Sequence, residues 1–224
     1  MRHTLRPHRV FLLHRTDRPA DRLASFVLPT DRTPRLLETA ILIALLRALG
    51  ARKVLEIGTL YGLQTLNLAA NLPADGHVWT LDLDEGALAR AAHAPADRAI
   101  AEQHRAQAHA PAFGSLPWRE RVTQLWGDST AFDFTPLLGR MNLVYVDGGH
   151  DTRTVASDSG RAFSLLDPDW PGAIVWHDDQ NPAHPDVGTH LDELARDRDV
   201  FHVAETWLAF HLNPAARLLQ EALI

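Results

Sequence analysis

The chain has 224 residues, of which 46% are hydrophobic, a net charge of -6 and no cysteine. This length suits one compact domain with an ample core, or such a domain with a short arm. The absence of cysteine excludes disulfides and cysteine-ligated metals. The acidic balance, without a basic patch, argues against a nucleic-acid partner, and the apolar runs are too short to span a bilayer. We therefore expect a soluble cytoplasmic protein that binds neither nucleic acid nor membrane.

The first part of the chain shows no clear periodicity. Residues 1–32 are predicted to form an arm or lid in front of a single domain over residues 33–224. Thr33 can cap a helix whose first position suits Pro34, and Gly50 is a natural stop. This helix is apolar nearly all round, which predicts that it is well buried. An exchanged N-terminal arm would also allow a homodimer.

The remainder alternates between strand and helix patterns. Short apolar runs with β-branched residues predict strands, and longer segments with helical periodicity predict helices. Such alternation is typical of an α/β fold with a doubly wound, Rossmann-like parallel sheet, and the last two strands are too close together for anything but an antiparallel hairpin. The predicted strands are Val54–Ile57, Val78–Leu81, Arg121–Trp126, Asn142–Val146, Ala173–Trp176, Val200–Glu205 and Trp207–Leu212, and the helices among them are Leu63–Leu72, Glu85–His93, Asp97–His109, Thr152–Leu166 and Asp186–Arg196.

The loop after the first predicted strand reads Glu56-Ile57-Gly58-Thr59-Leu60-Tyr61-Gly62. Gly58 permits a tight turn and the close approach of a ligand, and Gly62 opens the next helix. The G-x-G-x-x-G spacing of dinucleotide sites is absent, and Glu56 would repel a phosphate. The loop therefore favours a cationic ligand, although an ordinary glycine turn between strand and helix is also consistent with it.

Two further strand ends carry carboxylates suited to a nucleoside. Asp82 lies about 20 residues beyond the loop, where a carboxylate can hold both hydroxyls of a ribose. Asp128, followed by Ser129, can accept a hydrogen bond from an adenine amino group, or it can cap the next turn instead. Trp126 ends the strand before them, and we expect it in the core rather than beside the adenine.

These motifs resemble those of class I S-adenosylmethionine (SAM)-dependent methyltransferases over roughly residues 33–213. Within the class, the segments 127–134, 145–150 and 175–179 look most like small-molecule O-methyltransferases of the macrocin and catechol type. The resemblance implies a seven-stranded sheet of order 3-2-1-4-5-7-6 with strand seven antiparallel. It also implies that SAM is bound by Glu56, Gly58, Thr59, Tyr61, Gly62, Asp82, Asp128, Ser129 and Asp147.

Three carboxylates end the fourth and fifth predicted strands, namely Asp147, Asp178 and Asp179. They should face the same crevice as Gly58, where they would repel one another unless protonated or bound to a cation such as Mg²⁺. Metal-dependent relatives place ligands at the matching positions. The other interpretation is that Asp147 only touches the methionine end of the cofactor and that Asp178 or Asp179 caps the following loop.

The candidate base is His150, which falls where a catalytic base sits in the catechol type, and Asp147 is assigned to the catalytic set with it. Histidine suits this role because its pKa lies near working pH. The chain departs from the catechol type, which has lysine at the base position and asparagine where Asp179 stands. His177 is a second candidate as ligand or base, and a strand-end histidine with a satisfied hydrogen bond is the interpretation we favour for it.

These features favour O-methylation of a small-molecule hydroxyl, assisted by a divalent metal if one binds. An N-methyltransferase usually carries an Asn/Asp-Pro-Pro-aromatic motif after strand four, whereas Asp147-Gly148-Gly149-His150 stands here. An NAD-dependent oxidoreductase lacks its phosphate-binding glycines. A cofactor-binding protein without catalysis is the remaining alternative, against which the intact acidic cluster argues.

Overall fold

The computed structural model describes residues 1–13, 36–84 and 118–224. Its described strands form one eight-stranded sheet in the order β1-β7-β8-β6-β5-β2-β3-β4. The strands are β1 (Arg2–Leu5), β2 (Lys53–Ile57), β3 (His77–Asp82), β4 (Val122–Trp126), β5 (Leu143–Val146), β6 (Ala173–Trp176), β7 (Val200–Val203) and β8 (Ala209–Leu212).

The sheet confirms the predicted fold class and strand order. β2 to β8 are the seven predicted strands, and only β8 runs antiparallel to its neighbours, β6 and β7. The eighth strand, β1, was not predicted. It pairs in parallel with β7 at the sheet edge, with Arg2 opposite Val200 and Thr4 opposite His202. Leu5 is the one apolar residue of this strand, so the segment shows neither the apolar run nor the alternation that predicts a strand.

Helices lie on both faces of this sheet. They are α1 (Pro7–Phe11), α2 (Leu36–Ala48), α3 (Leu63–Asn71), α4 (Thr152–Leu165), α5 (Pro185–Leu194) and α6 (Arg217–Leu223). α1 and α6 were not predicted. The predicted start of α2 at Thr33 and the predicted helices 85–93 and 97–109 lie outside the described residues.

The core divides between the two faces of the sheet because neighbouring strand residues point in opposite directions. Val54 belongs to the apolar cluster under α1, α2 and α3, whereas Leu55 belongs to the cluster under α4 and α5. α2 is buried as predicted. The prediction for Trp126 was wrong: its side chain is 52% exposed, because it ends the edge strand β4.

The five strands β2 to β6 run parallel to one another, so their carboxyl ends share one edge of the sheet. The residues that end or follow them are those singled out in the sequence, from Gly58 after β2 to Asp178 after β6. Among the helices that the structure describes, none is long and apolar enough to cross a membrane.

Candidate active site

Gly58 brings two loops of the crevice into direct contact. Its φ is +99°, and a Cβ atom on it would stand 2.0 Å from the carbonyl oxygen of Asp147. The Gly58 amide donates to Leu81 O at 2.8 Å, and the Asp147 amide donates to Ile57 O at 2.8 Å. Only glycine fits between these backbones, so the end of β2 and the end of β5 meet with no side chain between them.

Asp82 holds the glycine loop from the neighbouring strand. Its Oδ2 accepts from the Leu60 amide and its Oδ1 from the Leu83 amide, each at 2.8 Å. Leu60 itself has a φ of +47°. The predicted ribose partner therefore also fixes a loop residue in the left-handed region, which most side chains avoid. Tyr61 is half-buried in the same turn, and Gly62 (φ 72°) caps α3.

Thr59 and Glu56, two of the predicted cofactor ligands, point beneath the loop. Thr59 Oγ1 lies 2.6 Å from Thr80 Oγ1 and accepts from Gln124 Nε2 at 3.0 Å. Glu56 Oε2 accepts from Thr65 Oγ1 and, at 2.6 Å, from Thr80 Oγ1. These bonds tie β2 to β3 and α3. The side chain of Thr59 thus supports the loop and leaves its backbone to face a ligand.

Glu56 is a nearly fully buried acid. Burial raises the pKa of its carboxyl from 4.5 to about 8, against the opposing hydrogen bonds from Thr65 and Thr80 and with further raising by Asp147 and Asp82. Its Oε1 has no hydrogen-bond partner among the described residues. At neutral pH the carboxyl is therefore largely protonated in the free protein, and a cation brought close to it would favour the charged form.

Glu56 should make the protein less stable as pH rises from about 4.5 to 8. The folded state holds the proton over this window and the unfolded chain does not, so stability falls with increasing pH. Glu56→Gln removes this pH-dependent contribution to the free energy of unfolding, because an amide does not titrate. The free energy of unfolding of Glu56→Gln minus that of the wild type should grow by on the order of 1 kcal/mol per pH unit across the window. Urea unfolding at pH 5, 6.5 and 8 measures it, and a difference that is constant with pH would contradict it.

At the end of β4, Asp128 forms a local turn. Its Oδ1 accepts from the amide of Thr130 at 2.9 Å and from the hydroxyl of Thr130 at 2.7 Å. This is the capping alternative raised by the sequence, and it leaves the adenine role a prediction. Ser129 beside it is buried.

Across the crevice, three groups converge at the ends of β5 and β6. His177 Nδ1 lies 3.1 Å from Asp147 Oδ1 and 3.1 Å from Asp178 Oδ2. Asp147 Oδ2 also accepts from the hydroxyl of Tyr145 at 3.1 Å. The predicted pair of Asp147 and Asp178 is thus brought together, with an imidazole between the two carboxylates.

His177 has a larger part than the sequence suggested. Its Nε2 lies 3.1 Å from Glu38 Oε2 on α2, so three carboxylates surround one ring. Burial alone would lower its pKa, but Asp147, Asp178 and Glu38 raise that pKa to about 12. Conversely, although burial works against it, contacts with His150 and His177 hold the pKa of Asp178 well below its usual range. The three carboxylates therefore favour the charged form of His177, whose side chain is mostly buried.

His150 lies on the other side of Asp178. Its Nε2 is 2.9 Å from Asp178 Oδ2, and its ring stacks on that of His184 with 3.8 Å between centroids. Asn181 donates to Asp178 Oδ1. Asp178 Oδ2 thus lies within ion-pair distance of both His150 and His177.

Asp179 does not join this cluster, which corrects the metal set predicted from the sequence. It is fully buried, its Oδ1 accepts from Arg2 Nη2 at 2.5 Å and its Oδ2 lies 2.9 Å from His202 Nδ1. Within the described residues, the two groups that could hold an ion are Asp147, His177 and Asp178, and His150, Asp178 and His184. Both oxygens of Asp179 are engaged by cationic or polar side chains, so the set loses its third carboxylate.

Sequence reasoning missed Glu38, His184 and Arg2. Glu38 carried a usable signal, because an acidic residue on a helix that is apolar nearly all round must be buried and therefore needs a partner. His184 belongs to no motif and lies in the connection between β6 and α5. Arg2 carried no signal in the sequence, because its partner Asp179 is 177 residues away.

Comparison with known families gives one match of substantial length. A model of the methyltransferase domain matches residues 55–179, which include the glycine loop and both aspartates of the cluster. A comparison with curated protein sequences finds no match.

Several solved structures have a similar fold. An O-methyltransferase of Streptomyces achromogenes involved in tomaymycin synthesis, solved in complex with SAM, is 24% identical with a TM-score of 0.51, covering 82% of this chain and 81% of its own. An O-methyltransferase of Bacillus cereus in complex with SAH is 20% identical (TM-score 0.50; 83% of each chain). A methyltransferase of Podospora anserina bound to SAH is 16% identical (TM-score 0.53; 92% and 86%). At these identities the likeness is one of fold.

Proposed function

Because this chain belongs to a family of methyltransferase domains, we propose that it binds SAM and transfers its methyl group to a hydroxyl of a small molecule. The observation that carries the proposal is the convergence of Gly58, Asp82, Asp128 and Asp147 on one edge of the sheet. In open α/β sheets this edge is where ligands bind. SAM is also the cofactor named for similar folds.

The crevice suits the parts of SAM in order along the sheet. Asp128 and Ser129 follow β4 and would face the adenine, and Asp82, the last residue of β3, would hold the ribose hydroxyls. The methionine end and its sulfonium would lie over Gly58, beside Asp147. Anionic side chains there complement the positive charges of the ligand.

We assign to His150 the role of the base that deprotonates the acceptor. In the proposed step, its imidazole takes the proton of the acceptor hydroxyl, the oxygen attacks the sulfonium methyl, and the carbon–sulfur bond breaks to leave SAH. Asp178, 2.9 Å from Nε2, would fix the ring and stabilise the imidazolium that forms. Correct alignment of the oxygen with the methyl group is worth about 7–11 kcal/mol of the barrier.

A magnesium ion fits part of this cluster. Mg²⁺ binds through one or two carboxylates and keeps several waters, and Asp147 and Asp178 offer two oxygens that already converge. Bound there, the ion would lower the pKa of the acceptor hydroxyl. The same oxygens contact His177, so an ion would compete with its imidazolium.

Formation of SAH from SAM tests the proposal. The purified chain is incubated with SAM and a panel of phenols, catechols and sugar alcohols, with Mg²⁺ or with a chelator, and SAH is quantified. Turnover with a hydroxyl acceptor is expected. Calorimetry that detects no binding of SAM would overturn the proposal. Turnover only with amine acceptors would instead favour N-methylation.

Asp82→Asn should weaken SAM binding. A hydrogen bond to a charged group contributes about 1.5–3 kcal/mol, so the loss of one such bond to the ribose corresponds to about a tenfold to hundredfold rise in Kd. Calorimetric titration with SAM measures this change.

Asp84→Asn is the matched control, because Asp84 lies two residues further along the same chain segment and was not assigned to the ribose. It should leave Kd within about twofold, since it removes the same charge but leaves the Asp82 carboxylate in place. Equal effects of the two substitutions would show that net charge, rather than the Asp82 carboxylate, governs binding.

A further inference from the structure

We propose that Arg2, on the N-terminal edge strand β1, is a positioning residue for the active site and acts on Asp178 through Asp179. This inference rests on the proposed methyl transfer, because Asp178 is assigned there to orient His150. Through Arg2, the unpredicted strand β1 would contribute to catalysis in addition to extending the sheet.

The turn that carries Asp178 has an uncommon backbone. Asp178 has a φ of +61° and Gln180 a φ of +59°, so two residues with side chains, separated by one position, are left-handed. Such conformations persist when the surrounding structure determines them. The turn is therefore held by contacts rather than by its own preference.

Asp179, between those two residues, supplies the contacts. Its carboxylate is buried and binds Arg2 Nη2 from β1 at 2.5 Å and His202 Nδ1 from β7 at 2.9 Å. Its amide donates to Trp207 O, in the connection between β7 and β8, at 3.0 Å. Three separate segments thus hold one residue of the turn.

Arg2 is the member of this arrangement that brings the compensating charge. Its side chain is mostly buried, and besides Asp179 it lies 3.5 Å from Asp192 on α5. Without it, Asp179 would be a buried carboxylate facing only His202, which favours a shift of the turn toward water. Asp178 is the adjacent residue, so such a shift would move its carboxylate away from His150 and His177.

The test compares Arg2→Met, Arg2→Lys and the wild type. Arg2→Met should lower kcat at least tenfold while the KM and Kd for SAM stay within about twofold, because the Gly58 and Asp82 loops are untouched. Arg2→Lys, which retains the charge, should recover kcat to within about fivefold of the wild type. Hydrogen exchange of the Asp179 amide, followed by NMR, should quicken at least tenfold in Arg2→Met.

Arg9→Met is the matched control. Arg9 also ties the N-terminal segment to the domain, by donating to the carbonyls of Ala222 and Leu223, but it contacts the C-terminal helix α6 rather than the turn. It should leave kcat and the exchange of the Asp179 amide unchanged. An equal loss of kcat in Arg9→Met, or unchanged exchange and kcat in Arg2→Met, would overturn the inference.

If Arg2→Met does not fold, the double variant Arg2→Met/Asp179→Asn removes both charges of the pair. Because neither charge is then left unpaired, it should fold and give a higher kcat than Asp179→Asn alone, and a kcat no higher than that of Asp179→Asn would overturn the inference. Amide exchange requires no acceptor. A chain that methylates nothing would therefore refute the proposed function, whereas unchanged exchange in a folded Arg2 variant would refute the positioning role alone.

Discussion

Gly58→Ala is expected to prevent SAM binding and to destabilise the fold by about 2–5 kcal/mol. The added Cβ would stand 2.0 Å from the carbonyl oxygen and 2.6 Å from the carbonyl carbon of Asp147. Both are backbone atoms of the residue that follows β5, so no side-chain rotation relieves the clash. Overpacking of this kind costs about 1–3 kcal/mol, and a left-handed φ adds about 1–2 kcal/mol.

Gly50→Ala separates the two contributions. Gly50 has a φ of +59°, but a Cβ on it would meet no atom within 4 Å. It should therefore lose only the backbone part, about 1–2 kcal/mol, and leave SAM affinity unchanged. Urea unfolding and calorimetric titration of both variants decide the matter. If Gly58→Ala were no less stable than Gly50→Ala and still bound SAM, the close contact between the two loops would not be essential.

The parallel sheet and its closing hairpin could be predicted from patterns along the chain, whereas the strand order came from the resemblance to class I SAM-dependent methyltransferases. Alternating strands and helices fix parallel pairing, and the short connection before β8 fixes its reversal. The positions of Gly58, Asp82 and Asp147 at strand ends follow directly from that order. The same reasoning placed both Asp178 and Asp179 at this edge and did not distinguish between them as candidate ligands.

What could not be predicted depends on contacts between residues distant in sequence. The partners of Asp179, which are Arg2 and His202, come from β1 and β7 and from no motif. The left-handed backbone at Asp178 decides which of two neighbouring carboxylates faces the crevice, and residue types alone do not reveal it. Trp126 illustrates the same limit, because its exposure depends on β4 lying at the sheet edge.

Replacing Asp178 and Asp179 in turn should give opposite results. Asp178→Asn is expected to reduce methyl transfer about 10²–10⁴-fold, the usual range for losing acid–base assistance, because His150 and His177 lose the carboxylate that orients them. Its unfolding free energy should change less, since Asp147 and Glu38 still pair with His177.

Asp179→Asn should instead destabilise the fold by about 3–5 kcal/mol, because it leaves Arg2 mostly buried without its partner charge. Its loss of transfer should be nearer tenfold and arise through the displaced turn. The two variants differ by one position and remove the same charge, so each controls for the other. Initial rates of SAH formation and urea unfolding distinguish them. If both variants lost the same rate and kept the same stability, both carboxylates would act in the crevice, as the sequence had predicted. Asp179 would then serve mainly to bind a cation, and its pairing with Arg2 would be of lesser importance.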